Sequence, residues 1–130
     1  MEEEDVRQAA RAIRPYLSEL LKNDHAAASE LDRRLAELLA EAQAGRSVKT
    51  DLLIALSDQQ ATREWTREFL KDKLPPQVYR TWRRPPGDPG QVPAQRWVCP
   101  QGDYDWYPSF AGEQPPACPT HHLDLVLDGT

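Results

Sequence analysis

The chain has 130 residues, a net charge of −5 and 28% charged residues, enough for one ordinary domain or two very small ones. The two signs are interspersed, so no broad basic face is offered to a nucleic acid or an anionic membrane. No apolar run approaches the roughly 18 residues of a membrane span.

The first residues, Met1-Glu2-Glu3-Glu4-Asp5, lack the basic and apolar regions of a secretory signal, and a cytoplasmic protein is expected. In a reducing compartment its two cysteines are expected as free thiols or metal ligands before a structural disulfide. Eleven of the twelve prolines fall after residue 74. That unevenness predicts an α+β protein in three parts: a small helical bundle of four to five helices over 1–74, a proline-rich linker over 75–94, and a small β module over 95–130.

In chain order, residues 3–13 suit a helix whose acidic start faces the positive end of its dipole. Pro15 then starts a second helix or kinks a longer one. Asp24 is positioned to cap the clearest helix, which ends before Gly45, with Leu31, Leu35, Leu38, Leu39 and Ala42 at core spacing. Its opposite face, Asp32, Arg33, Glu37 and Glu41, reads as solvated. Ser47 can cap a helix through Leu52-Leu53-Ile54-Ala55-Leu56, expected to be the most buried piece of the bundle. Ser57-Asp58-Gln59-Gln60 has capping-box spacing, and the helix after it carries Trp65, Phe69 and Leu70 on one side. Pro75 closes that helix.

Within the proline-rich segment, Tyr79 and Trp82 are candidates to pack locally or to meet a partner. Arg80, Arg83 and Arg84 form the one concentrated positive patch, suited to solvent or to an acidic or phosphorylated partner.

The β module begins with a strand over Gln95–Val98 and a hairpin partner over Tyr104–Tyr107; Leu123–Leu127 supplies a closing strand. Between them lie Cys99-Pro100-Gln101-Gly102 and Cys118-Pro119-Thr120-His121. These turns resemble the zinc-ribbon and rubredoxin-like group, in which two Cys-Pro-x-Cys-Gly turns face each other around one metal. The first turn has glycine at the second ligand position; the second matches if His121 replaces the final cysteine.

The resemblance covers about residues 95–128 and implies zinc held by Cys99, Cys118 and His121, with His122 or Asp103 as fourth ligand. A ribbon held by packing alone and a Cys99–Cys118 disulfide stay open as alternatives. The style of the module also resembles terminal modules of bacterial multidomain signalling and defence-like proteins, which implies an adaptor.

No phosphate-binding glycine loop, nucleophile–base pair or apolar-set carboxylate pair is present in the sequence. The expected function is therefore non-enzymatic interaction with another protein, through Trp97, Tyr104, Trp106 and Tyr107 of the ribbon and Tyr79, Trp82, Arg83 and Arg84 before it. The alternatives are a small zinc-dependent hydrolase with an open metal position and a nucleic-acid-binding regulator.

Overall fold

Eleven residues from Glu3 to Ile13 form helix α1. Asp5 accepts from the Glu2 amide at 3.3 Å, and Glu3, Glu4 and Asp5 set three carboxylates in the first turn, where the helix dipole favours them. Val6, Ala9, Ala10, Ala12 and Ile13 are fully buried, and the small alanines let neighbouring helices approach closely. At Pro15, which has no amide hydrogen to give, the chain tightens into a 3₁₀ turn over Arg14–Tyr16 and resumes as α2, Leu17–Leu20. The proline thus bends one helical run. The structure, a computed structural model, describes residues 2–72, 75–76, 96–108 and 113–127.

Helix α3, His25–Gln43, starts where Asp24 accepts from the Ala27 amide at 3.0 Å. It stops in a Schellman turn: Gly45 donates to Ala42 O at 3.0 Å and Arg46 to Glu41 O at 3.0 Å, with Gly45 at φ +100°. A Cβ on Gly45 would meet nothing within 4 Å, so Gly45→Ala is expected to cost only the left-handed backbone term, about 1–2 kcal/mol. Urea unfolding of the variant checks that value. Leu35, Leu38, Leu39 and Ala42 are buried as their spacing predicts. On the other face Arg33 pairs with Glu30 and Glu37, and Glu41 with Arg46. Asp32 departs from the solvated reading, because it turns inward to Arg14 of the 3₁₀ turn.

Helix α4, Lys49–Ser57, buries Leu52 and Leu56 one turn apart. Ile54 is 65% exposed, which corrects the expectation that this whole apolar run lies inside: a helix can turn only one side inward. Ser47 does not cap it. Its hydroxyl donates to Glu3 Oε1 at 2.8 Å, and the Val48 amide donates to Glu3 Oε2 at 3.3 Å, so the start of α4 is tied to the start of α1. The Ser57 capping box is also absent, since α4 runs through Ser57 itself. The buried Thr62 hydroxyl serves this corner instead, 2.8 Å from Leu56 O and 3.0 Å from Gln59 O.

Helix α5, Gln60–Asp72, places Trp65 and Phe69 in a stacked pair with centroids 5.3 Å apart, and Tyr16 tilts against Trp65 at 5.9 Å. Helix α1 packs on α3, α4 and α5 and so forms the centre of the bundle.

The remainder is a three-stranded antiparallel sheet with order β2-β1-β3: β1 Trp97–Val98, β2 Asp105–Trp106 and β3 Val126–Leu127. Trp97 faces Trp106 on one side and Leu127 on the other; Val98 faces Asp105 and Val126. The fold is therefore α+β, as expected. Strands this short cannot hold a sheet alone. The sheet leans on the bundle: β2 packs on α1, and Tyr107 is part of the same buried cluster as Ile13, Leu17 and Phe69. Most of the 75–94 linker lies outside the described residues. No helix among the described residues is long and apolar enough to cross a membrane.

Candidate metal centre

Two tight turns carry the site. In the first, Gly102 donates to Cys99 O at 2.8 Å and Cys99 to Tyr104 O at 2.9 Å. In the second, His122 donates to Cys118 O at 2.7 Å and Cys118 to Leu123 O at 2.9 Å, supported by the Ala117–Asp124 bridge.

Together they gather Cys99, Asp103, Cys118 and His121, whose ligand atoms all lie within 4.8 Å of one another. Cys99 Sγ is 3.7 Å and Cys118 Sγ 3.9 Å from His121 Nδ1; Asp103 Oδ1 is 3.5 Å from Cys118 Sγ, and Asp103 Oδ2 is 3.2 Å from His121 Nδ1. Cys99, Asp103 and Cys118 are buried, while the His121 side chain stays 37% exposed. A set of two thiols, one carboxyl and one imidazole converging at this distance can hold a metal ion.

Burial pushes the Cys99 thiol up to about 12, opposed by the hydrogen bond from the Gln101 amide at 3.4 Å. A bound cation reverses that preference, because a coordinating thiol is deprotonated outright.

Gly102 explains why the apparent second ligand position is empty of a donor side chain. Its φ is +80°, and a Cβ there would lie 2.1 Å from Gln43 Nε2 at the end of α3. The donor comes from the next residue, Asp103, whose longer reach closes the same set. Gly102→Ala carries the same left-handed backbone cost as Gly45→Ala, about 1–2 kcal/mol, and adds only displacement of the exposed Gln43 side-chain end, so the two variants are expected to lose similar stability. Comparing the two variants in urea tests this.

His122 is not in the cluster. It is exposed and sits at φ +57°, and Asp103 takes the place that the sequence left open between the two.

The ribbon aromatics divide. Tyr104 and Tyr107 are buried, so neither offers free surface; Trp97 and Trp106 are half-buried. Burial raises both tyrosines to about 12. Tyr79, Trp82, Arg80, Arg83 and Arg84 lie outside the described residues.

Sequence reasoning missed a buried polar seam joining the turns to the bundle. Asp105 on β2 is fully buried, with Oδ1 3.3 Å from Arg11 Nε and Oδ2 3.6 Å from Arg96 Nη1. The Arg14 guanidinium, 1% exposed, donates to Asp32 at 2.7 and 3.3 Å, to Asp103 O at 2.6 Å and to Thr120 Oγ1 at 2.7 Å. It also lies 5.3 Å over the Tyr104 ring. No local signal marks it: Glu4, Arg7, Arg11 and Arg14 recur at spacings of three and four along one side of the helical run, the pattern of a solvated face.

No protein family, curated protein or solved structure matches the chain.

Proposed function

We propose that the protein is a non-enzymatic interaction protein whose C-terminal ribbon is built on a structural zinc ion held by Cys99, Asp103, Cys118 and His121. The observation that carries this reading is the spacing of the four donors. With Zn–S near 2.3 Å and Zn–N and Zn–O near 2.0–2.2 Å at tetrahedral angles, S···N and S···O separations come to about 3.6 Å and N···O to about 3.4 Å. Here His121 Nδ1 lies 3.7 and 3.9 Å from the two sulfurs; Asp103 offers Oδ1 to Cys118 Sγ at 3.5 Å and Oδ2 to His121 Nδ1 at 3.2 Å, and all four ligand atoms fall within 4.8 Å of one another.

Four protein donors fill a tetrahedron, which favours a structural role, whereas a catalytic zinc keeps one position for water or substrate. Two surface hollows among the described residues offer room for a binding role. One, of about 330 Å³, lies between α3 and α4 beside Leu31 and Ile54; the other, of about 300 Å³, lies beside Arg14, Tyr104 and Pro119. The partner is expected to be a protein. Half-exposed Val126 and Leu127 on edge strand β3, with Leu123 before them, supply apolar contact area, and a sheet edge offers unpaired backbone groups to another chain.

Metal analysis of the purified chain tests the reading: one equivalent of zinc per chain is expected, with cobalt substitution giving the absorption of a tetrahedral two-thiolate site. His121→Ala is expected to lower the melting temperature of the loaded protein. If the variant kept its melting temperature and zinc content, the fourth position would be open, and a hydrolytic site would take precedence.

A further inference from the structure

The geometry points to Arg14 as the positioning residue of the metal centre, and through it to a thermodynamic coupling between ion binding and the seating of the helical bundle on the two turns. This inference rests on the zinc reading above.

One side chain touches both ligand-bearing turns. Arg14 Nη1 reaches the carbonyl of Asp103 in the first turn at 2.6 Å and stands 3.8 Å from that residue's Oδ2; Arg14 Nη2 reaches Thr120 Oγ1, next to His121 in the second, at 2.7 Å. The same guanidinium is held in place from behind by Asp32 of α3 through Nε and Nη2. A planar fork with fixed donor directions can set the separation of three groups in a way that a single ammonium cannot. Arg14 therefore fixes the two turns relative to each other, and both relative to α1 and α3.

Charge gives a second, independent reason. Zinc with two thiolates, one carboxylate and a neutral imidazole carries one net negative charge. Cys99, Asp103 and Cys118 are buried at 2, 2 and 0% exposure, where water screens such a charge poorly. Arg14 supplies a buried positive charge beside Asp103 that stays protonated throughout the ordinary pH range. Removing it takes away the positive charge that Asp103 shares with Asp32 and leaves both carboxylates facing the loaded centre; loss of such an outer partner is typically felt as about 10–100-fold in metal affinity. Linkage makes the effect reciprocal: whatever the seated bundle adds to ion binding, the ion returns to the seating of the bundle.

Zinc affinity of the full chain is measured by competition with a chromophoric chelator, for the wild type, Arg14→Gln and Arg14→Lys, with far-UV circular dichroism reporting the helices. Arg14→Gln is expected to bind zinc about 10–100-fold more weakly, with an unchanged cobalt spectrum because the ligands are untouched. Arg14→Lys restores the charge without the fork and is expected to recover part of that loss. Hydrogen exchange of the wild type, with and without zinc, supplies a test that needs no variant: amides of Ala10–Leu21, which hold no ligand, are expected to gain protection on zinc addition. Arg14→Gln binding zinc within twofold of wild type with its helices intact, or zinc protecting the ribbon while leaving Ala10–Leu21 unchanged, would overturn the coupling and leave the structural zinc standing. A wild-type chain that binds no zinc would instead remove the zinc reading itself.

Discussion

Cys118→Ser is expected to abolish tight zinc binding and to collapse the sheet while most of the helical signal remains. Cys118 is fully buried and lies within ligand distance of Asp103 and His121; serine there offers a harder, far less acidic donor. The three strands contain two residues each, well below what holds a sheet in water unaided. Structural zinc contributes an apparent 10–16 kcal/mol in small zinc-dependent modules at neutral pH, so on the zinc reading proposed above its loss is expected to disorder the ribbon. Near-UV circular dichroism follows Trp97, Tyr104, Trp106 and Tyr107 on top of the contribution of Tyr16 and Trp65 in the bundle, so a partial loss is expected, whereas the far-UV signal follows the helices. Wild type treated with a strong chelator should reproduce the variant. If both kept the near-UV signal, packing against the bundle would be sufficient to hold the ribbon, and the ion would be incidental.

The second large effect is expected at the buried seam. Arg11→Met leaves Asp105, fully buried on β2, without the guanidinium 3.3 Å away. Stranding a buried carboxylate costs about 3–5 kcal/mol, a large part of the roughly 5–15 kcal/mol that holds a domain together. Arg96, 3.6 Å from the other oxygen and itself 25% exposed, places the expected loss at the lower end of that range. The double variant Arg11→Met/Asp105→Leu should regain most of it, since an apolar pair of similar volume removes the charge along with its partner. Urea unfolding of the two variants separates the cases. A loss below about 1 kcal/mol in Arg11→Met, the size of an exposed pair, would mean that Asp105 is satisfied without Arg11.

What was legible in the sequence was whatever depends on neighbours along the chain. Asp24, the leucines of α3 and Gly45 mark that helix because cap, core spacing and stop signal are all local. The three ribbon strands were visible in place, though each spans two residues where four or five were expected, and the two Cys-Pro turns were visible in their spacing. The misses depend on distant residues. Ser47 has the chemistry of a cap, but its hydroxyl is taken by Glu3, 44 positions away. Asp32 sits on a polar helix face and reads as solvated until Arg14, 18 positions earlier, is placed against it. Asp105 alternates with aromatics as an outward residue would, yet α1 covers that side of the strand. Asp103 was visible only as one option for the fourth donor, because spacing rules assign that place to position 102 and only the backbone at Gly102 shows why the donor moves on by one.

That one-residue shift also bears on which ion the site selects. A fourth thiolate would make the centre soft, suited to cuprous copper, cadmium or an iron–sulfur unit; the carboxylate of Asp103 makes it a borderline set of two sulfurs, one nitrogen and one oxygen. Such a set matches the borderline softness of zinc and lacks the four thiolates that a one-electron iron–sulfur carrier requires. On the structural-zinc reading proposed above, the glycine that the turn needs leaves a centre without the four thiolates of a one-electron carrier, suited to holding the two turns together.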